Sequence, residues 1–236
     1  MRGALWLWAS LAGKVRTPEA PWNGVADRPV AMMVLLAVMG LVPFAVLTLT
    51  SFSKMAVVFS LLRSALGTQQ APPTMVLTGL AAILSAYVMA PVAQEMARRG
   101  EASHFEGAST ARLLSEGARV LEPLRDFLVR HGDAEERVRL VDLAGELRSA
   151  PSPVSASDLT VVVPAFVLTE LKEAFQIGFI VFLPFLVIDM VVANVLLALG
   201  MQTLSPTQVS LAFKILLFVA VDGWSLLSRG LLLGYR

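Results

Sequence analysis

Residues 198–207 read ALGMQTLSPT and stand between two long apolar runs. Gly200 follows the first run, where a residue that tolerates positive φ commonly ends a helix. Pro206 opens the second run, at a helical position where its missing N–H costs nothing. Ser205 before it and Gln208 after it fit an N-cap with a capping box. The stretch therefore predicts a tight turn between two antiparallel apolar helices.

A similar turn lies 133 residues earlier in the chain. The shared residues are Ala65, Leu66, Gly67, Gln69, Pro73 and Thr74, which recur as Ala198, Leu199, Gly200, Gln202, Pro206 and Thr207. This echo fits an internal repeat, and it also fits convergent helix punctuation. Two turns predict four apolar arms in two hairpins: Pro29 to Leu66, Pro73 to about Ala97, about Leu159 to Leu199, and Pro206 to Tyr235.

The first and third arms are too long for a simple membrane span. About 20 helical residues cross a bilayer core, whereas these arms approach 40 residues, or roughly 60 Å at 1.5 Å per residue. They must therefore break or protrude. Pro43, Pro164 and Pro184 are candidate kinks, and polar patches interrupt the arms at residues 48–54 and 169–173.

The composition is that of a membrane protein. Hydrophobic residues make up 56% of the 236, and the mean hydropathy is +0.70, above the roughly 45–50% apolar content of soluble domains. The net charge of +1 gives no indication of a nucleic-acid partner. The lack of Cys excludes disulfides and thiolate metal sites.

Catalytic motifs are missing from the sequence. It contains no H-E-x-x-H, no Walker A loop, no G-x-S-x-G and no dinucleotide fingerprint. His104 and His131 lie in polar surroundings without a ligand pattern, so we expect them to be surface residues. We predict a protein that is not an enzyme and that binds no cofactor or metal.

The charges concentrate in one segment. Residues 95–148 hold nine Arg and eleven Asp or Glu, which is 20 of the 37 charged residues. Two amphipathic stripes predict that this segment is helical, with Pro123 bending or splitting the first helix. The predicted organisation is an N-terminal tail (1–29), a first hairpin (30–97), a polar insert with its linker (98–158) and a second hairpin (159–236). The tail fits a cleaved signal peptide or a retained interfacial segment.

Six ionisable residues lie inside or beside the apolar arms: Lys54, Arg63, Glu170, Asp189, Lys214 and Asp222. An unpaired charge facing lipid costs at least about 2.5–3.5 kcal/mol. Snorkelling, pairing within the chain and contact between subunits around a polar pathway are all compatible with them. Asp189 and Lys214 lie at similar depths in the second hairpin, so they can pair. Glu170 lies 29 residues before the end of the third arm at Leu199, or roughly 40 Å along a straight helix, so its contact with Lys214 requires a neighbouring subunit or a sharp break.

Several motifs together resemble the FliP/SctR family. In the first half of the chain they are residues 50–54 (TSFSK), 61–73 (LLRSALGTQQAPP) and 88–92 (VMAPV). In the second half they are residues 163–166 (VPAF), 170–179 (ELKEAFQIGF), 183–189 (LPFLVID) and 218–224 (FVAVDGW). The resemblance covers about residues 40–97 and 159–236, and the insert and the tail carry little of it.

The resemblance implies a core subunit of the type III secretion export gate in the bacterial inner membrane. Such subunits are all-α and assemble as a ring or helical staircase, here expected as five copies with FliQ/SctS-like and FliR/SctT-like subunits. Unfolded polypeptides would pass through. Lys54 and Arg63 make the turn side of the first hairpin positive, so we expect the turns to face the cytoplasm and the insert to lie in the periplasm. Lys54 within TSFSK and the lack of a firm signal peptide favour an injectisome over a flagellum. Without the resemblance, a four-helix ion- or proton-coupled transporter is the alternative.

The resemblance also assigns a role to the second turn. In the family this loop faces the pore and commonly carries consecutive methionines. Here Met201 keeps the first of them, whereas Gln202 and Thr203 replace the next two and Leu204 follows. Methionine suits a deformable seal because its side chain is flexible and polarizable, so we expect a wetter seal here. The resemblance further supports an intersubunit contact between Glu170 and Lys214.

Overall fold

The computed structural model describes residues 29–68, 71–102, 110–147, 154–201 and 203–236. Within these ranges the regular structure is entirely α-helical, which confirms the predicted fold class. The eight helices are α1 (Pro29–Thr48), α2 (Phe52–Leu66), α3 (Thr74–Ala102), α4 (Thr110–His131), α5 (Ala134–Leu147), α6 (Leu159–Ala198), α7 (Pro206–Ala220) and α8 (Gly223–Leu233). Residues 1–28, His104 and most of the Pro/Ser linker lie outside the described ranges.

The chain divides into two compact units, Met1–Ala45 and Val46–Arg236. The described part of the first unit is the beginning of α1, whose described side chains are mostly exposed, including Met39 and Phe44. The second unit holds α2 to α8. Because so many of their apolar side chains are exposed as well, a surrounding of lipid or other protein is required to cover them.

The first arm breaks at residues 49–51, within one of the polar patches. Helix α1 continues past Pro43, so the arm does not break at this proline. Thr50 Oγ1 accepts a hydrogen bond from Phe52 N–H (3.3 Å), and Ser51 Oγ donates to Ser85 Oγ (3.1 Å) on α3. Hydroxyl groups that bond nearby backbone compete with the helical ladder, which explains why the break falls at the polar patch.

Helix α6 is a single element of 40 residues. It runs through Pro164 and Pro184 and is about 60 Å long at 1.5 Å per residue, so the third arm does not break. Helices α3 and α6 are each long and apolar enough to cross a membrane. Counting each bent pair of helices as one span raises the number to as many as four among the described residues.

Both turns end their helices on a glycine in the left-handed region. Gly67 has φ +75 and Gly200 has φ +74, as predicted for C-terminal helix caps. At the second turn Met201 N–H donates to Leu196 O (2.9 Å), which is a Schellman arrangement. Ser205 occupies the N-cap position before Pro206 but makes no side-chain cap hydrogen bond, so the predicted capping box is wrong.

The fourth arm is bent by 61° between α7 and α8. Asp222 at the break has φ +49, and Gly223 follows it. A Cβ at position 223 would lie 2.2 Å from the Phe218 ring. The ring contacts Trp224 at right angles (5.1 Å between centroids), so aromatic packing against a bare glycine backbone fixes the bend.

The polar insert packs on the N-terminal part of α6. Helix α4 runs through Pro123 without interruption, so this proline does not split the helix. Phe127 and Leu128 of α4 are buried against Val162 and Phe166 of α6. A larger apolar core joins α2, α3, α6, α7 and α8. The insert is therefore attached through a small apolar core, against which Val88, Met89 and Val92 of α3 also pack.

Candidate functional site

Two groups of buried charges and one exposed turn are the candidate functional features. The first group centres on Lys54 of α2 and Glu170 of α6, which are 3% and 0% exposed. Lys54 Nζ lies 2.9 Å from Glu170 Oε1 and 2.6 Å from Glu173 Oε2. The contact to Glu170 Oε1 is ionic rather than an aligned hydrogen bond. One ammonium group thus holds α2 against two acidic residues of α6.

Tyr235, near the C-terminus, completes this group. Its phenol donates a hydrogen bond to Glu170 Oε2, and Lys54 Nζ lies 4.1 Å above its ring, within cation–π range. The phenol thus satisfies one oxygen of the buried carboxylate while the ring covers the ammonium group. The end of the chain therefore seals the buried ion pair.

His131, the last residue of α4, joins the group from the insert. Its ring lies 4.6 Å from that of Phe127 and 5.2 Å from that of Tyr235. It is half-buried, so the expectation of a simple surface histidine is wrong. Burial lowers the pKa of His131, and the positive charges of Lys54 and Arg130 lower it further. The neutral imidazole is therefore favoured.

The second group centres on Lys214 of α7. Its Nζ donates to Asp189 Oδ2 (2.7 Å) on α6 and to the Ala65 carbonyl (3.0 Å) at the end of α2. Ser210 Oγ donates to Asp189 Oδ1 (2.6 Å). Lys214 is buried whereas Asp189 is half-buried. One lysine thus pairs the two arms of the second hairpin and also binds one of the last carbonyls of α2.

These contacts place the first turn beside the second hairpin. Ala65, just before the first turn, lies beside Lys214 and Asp189. Helix α6 continues nine residues beyond Asp189 to Ala198, or roughly 14 Å at the helical rise. The end of α6 therefore projects beyond this group of charges, while Gly67 of the first turn lies beside Thr207 at the start of α7.

Within one chain, Glu170 and Lys214 have different partners. Glu170 pairs with Lys54, and Lys214 pairs with Asp189. Glu170 and Asp189 are 19 residues apart on the same helix, or roughly 28 Å. The proposed Glu170–Lys214 contact between subunits stays a prediction, in which both groups would have to leave or share these partners.

Arg63 and Asp222 are the two site candidates that are not enclosed. Arg63 Nη1 donates to Thr74 Oγ1 (2.5 Å), which ties the arms of the first hairpin together. Asp222 is exposed, and its side chain makes no cap hydrogen bond to α8. The structure therefore gathers Lys54 with Glu170 and Lys214 with Asp189, and it leaves Arg63 and Asp222 at the surface.

The second turn is exposed and uncharged. Met201 and Leu204 are each 47% exposed, and Thr203 is exposed as well. Gln202 lies outside the described residues. A polypeptide in contact with this turn would meet apolar and hydroxyl groups. No charged side chain of the turn would have to be desolvated.

Sequence reasoning missed Glu173, Ser210 and Tyr235 as members of these groups. Ser210 lies one helical turn before Lys214, so its hydroxyl shares a face with the lysine. Glu173 lies one turn after Glu170 in the same way. Tyr235 carries a hydroxyl at the end of an apolar arm, but only the packed chain shows where it lies. In the described part of the chain, no group of three or more His, Asp or Glu could hold a metal ion.

Comparisons with known proteins identify the family of this chain. The family model described as "FliP family" matches residues 35–231. The chain is 44% identical over 209 residues to Yop proteins translocation protein R of Yersinia pestis, covering 86% of this chain and 95% of that relative. It is 43% identical over 207 residues to Pathogenicity-related ORF2 of Xanthomonas campestris pv. glycines, covering 87% and 96%. It is 43% identical over 225 residues to the flagellar biosynthetic protein FliP of Pectobacterium carotovorum subsp. carotovorum, covering 94% and 84%. The matched residues include most of both hairpins and the insert between them, and the chain therefore belongs to the FliP family.

Proposed function

We propose that this chain is the pore-forming subunit of a type III secretion export gate in the bacterial inner membrane. Unfolded proteins would pass through the gate, which we expect to contain about five copies together with FliQ/SctS-like and FliR/SctT-like subunits. The chain would be a conduit without catalysis of its own. The close relatives named as translocation and flagellar biosynthetic proteins support export as the process.

The observation that carries the proposal is the exposed, uncharged turn at the far end of the longest helix. The helices of the second unit pack around a continuous apolar core, so a channel has to form between copies rather than within one. A turn at the end of α6, roughly 14 Å beyond Asp189, is well placed to line such a channel. The buried charges are already neutralised within each copy, which leaves the outer faces apolar for neighbours and lipid.

We further propose that the insert lies in the periplasm and that the gate belongs to an injectisome. The insert is the most charged part of the chain and lies between two hairpins. Yop proteins translocation protein R and Pathogenicity-related ORF2 match this chain over 95% and 96% of their own length. Genes for needle components beside the gene of this chain would support the injectisome, whereas hook and flagellin genes would contradict it.

The seal is tested at the turn. We expect the double change Gln202→Met and Thr203→Met to lower the ion leak through the assembled gate while secretion continues, because thioether side chains close more tightly around a passing chain. Val221→Met, an exposed position at the end of α7, is the matched control and should leave the leak unchanged. An unaltered leak in the double variant would remove the sealing role.

The second candidate function is an ion- or proton-coupled transporter. It is favoured only by the presence of ionisable residues within the apolar arms. Purification separates the two: a multi-copy complex with FliQ- and FliR-like subunits supports the export gate. A stable monomer or dimer with substrate-dependent flux supports the transporter.

A further inference from the structure

Tyr235 packs against both apolar cores of the second unit. It contacts the larger core formed by α2, α3, α6, α7 and α8, and it also contacts the small core under the insert. Val88 of α3 is the other described side chain that packs against both. Of the two, Tyr235 carries a polar group, and its hydroxyl donates to Glu170. Tyr235 therefore connects the packing of the insert with the buried ion pair.

The insert covers the ring of Tyr235. The ring of Phe127 on α4 lies nearly parallel to it, with 6.1 Å between the centroids and 15° between the planes. The ring of His131 meets it edge-on at 5.2 Å. Lys54 Nζ lies over the same ring, 4.1 Å from its centroid. One aromatic ring thus contacts both the end of α4 and the ammonium group of the ion pair.

The energetics of the pair depend on its remaining dry. Glu170 is 0% exposed and Lys54 is 3% exposed, so removing either partner leaves a buried charge uncompensated, which is costly. In a hydrated pair the same removal costs little, because water solvates the remaining charge. Glu173, the second acidic partner of Lys54, is 44% exposed, so solvent already reaches the edge of this group. The Tyr235 ring and the insert above it separate the rest from water.

The insert is attached more weakly than the arms are attached to each other. Its small core has four buried members, whereas the larger core has thirteen. The other contacts at this end are polar: Asp133 N–H donates to Thr169 Oγ1 (2.9 Å), and the half-exposed Lys172 lies 3.4 Å from Asp133 Oδ2. Elements with few buried apolar contacts open locally at a lower free energy than the whole fold. The insert can therefore open while the arms stay packed.

We propose that the insert is a lid over the Lys54–Glu170 pair and is coupled to it through Tyr235. The closed lid keeps the pair dry, and opening it admits water to Glu170. Such coupling is reciprocal, so loss of the ion pair loosens the lid in turn. A partner that displaces the insert would thereby weaken the packing of α2 on α6. The inference goes beyond the proposed function and does not depend on how many copies assemble.

The test compares the effect of Lys54→Met with the lid closed and opened. Gly132→Ala opens the lid, because its Cβ would lie 2.8 Å from the Leu128 carbonyl oxygen and 3.6 Å from the backbone of Phe166. In the original chain, Lys54→Met should raise the unfolding equilibrium constant in mild micelles by about 100-fold or more. In the Gly132→Ala chain it should raise the constant by less than about tenfold. Gly117→Ala, within α4 and with nothing within 4 Å, is the matched control and should leave the effect of Lys54→Met unchanged.

Two results of this comparison would overturn the lid. An equal effect of Lys54→Met in the original and the Gly132→Ala chains would show that the pair is independent of the insert. A reduced effect in the Gly117→Ala chain as well would show that opening of the insert is not the cause.

A second measurement follows the insert itself and needs no unfolding. The chain contains no Cys, so Leu128→Cys, at a position of α4 that is 1% exposed, reports opening through its rate of reaction with a water-soluble maleimide. Lys54→Met should raise this rate by about tenfold, at the cost of one ordinary stabilising contact, whereas Arg63→Met on the same helix should not. Ala81→Cys, 0% exposed in the larger core, should react equally slowly with and without Lys54→Met. Unchanged labelling at position 128 would contradict the coupling, and equal increases at positions 128 and 81 would replace the lid by general loosening.

Discussion

Removing Lys54 tests the buried ion pair most directly. Glu170 is 0% exposed and has Lys54 as its ionic partner in the structure. Lys54→Met keeps the length of the side chain and leaves the carboxylate buried with only the Tyr235 hydroxyl. Breaking one partner of a buried pair costs about 3–5 kcal/mol. That range corresponds to a rise of roughly 100- to 5,000-fold in the unfolding equilibrium constant, at about 1.4 kcal/mol per tenfold.

The free energy of unfolding would be measured by titrating a denaturing detergent against the protein in mild micelles. Lys172→Met is the matched control, because Lys172 is 48% exposed and lies 3.4 Å from Asp133 at the surface, where pairs contribute about 0–1 kcal/mol. The double change Lys54→Met and Glu170→Gln should lose less than Lys54→Met alone, since it leaves no uncompensated charge. The reasoning fails if Lys54→Met costs no more than Lys172→Met, or if the two changes in the double variant simply add.

Two further predictions concern the insert and the bend of the fourth arm. The pKa of His131 is lowered below its usual 6.5 in the folded chain, so the unfolded chain takes up a proton first. Its contribution to stability is present above about pH 6.5 and is lost as the pH falls. Comparing thermal unfolding at pH 7.5 and 5.5, His131→Gln should show a smaller loss than the original chain, and an equal loss would contradict this. Gly223→Ala places a Cβ 2.2 Å from the Phe218 ring and should destabilise the protein by about 1–3 kcal/mol through overpacking. Gly230→Ala, which has nothing within 4 Å, should be neutral or slightly stabilising, and similar unfolding midpoints for the two variants would refute the packing argument.

Patterns that depend on neighbours along the chain were readable from the sequence. The glycines of both turns, the start of α7 at Pro206 and the helical insert all depend on local conformational preferences. The pairing of Asp189 with Lys214 was foreseeable as well, since a tight turn sets equal depths on its two arms. The motifs were also sufficient to identify the FliP family.

Breaks and partners across the chain were not readable in this way. The first arm breaks at residues 49–51 because hydroxyl groups there find partners on α3, while α6 continues through two prolines. His131 is half-buried because Phe127 and Tyr235 contact its ring, although its sequence neighbours are polar. The partner of Glu170 is on α2, more than one hundred residues away in the chain.

The sequence by itself determined that this protein is a set of apolar helices with two glycine-capped turns, because periodicity and capping act within a few residues. Only the tertiary structure decided which charges neutralise each other and which remain at the surface. The physical reason is that desolvating a charge is compensated only by a partner at hydrogen-bonding distance, and that distance is set by how α2, α6 and the end of the chain pack together.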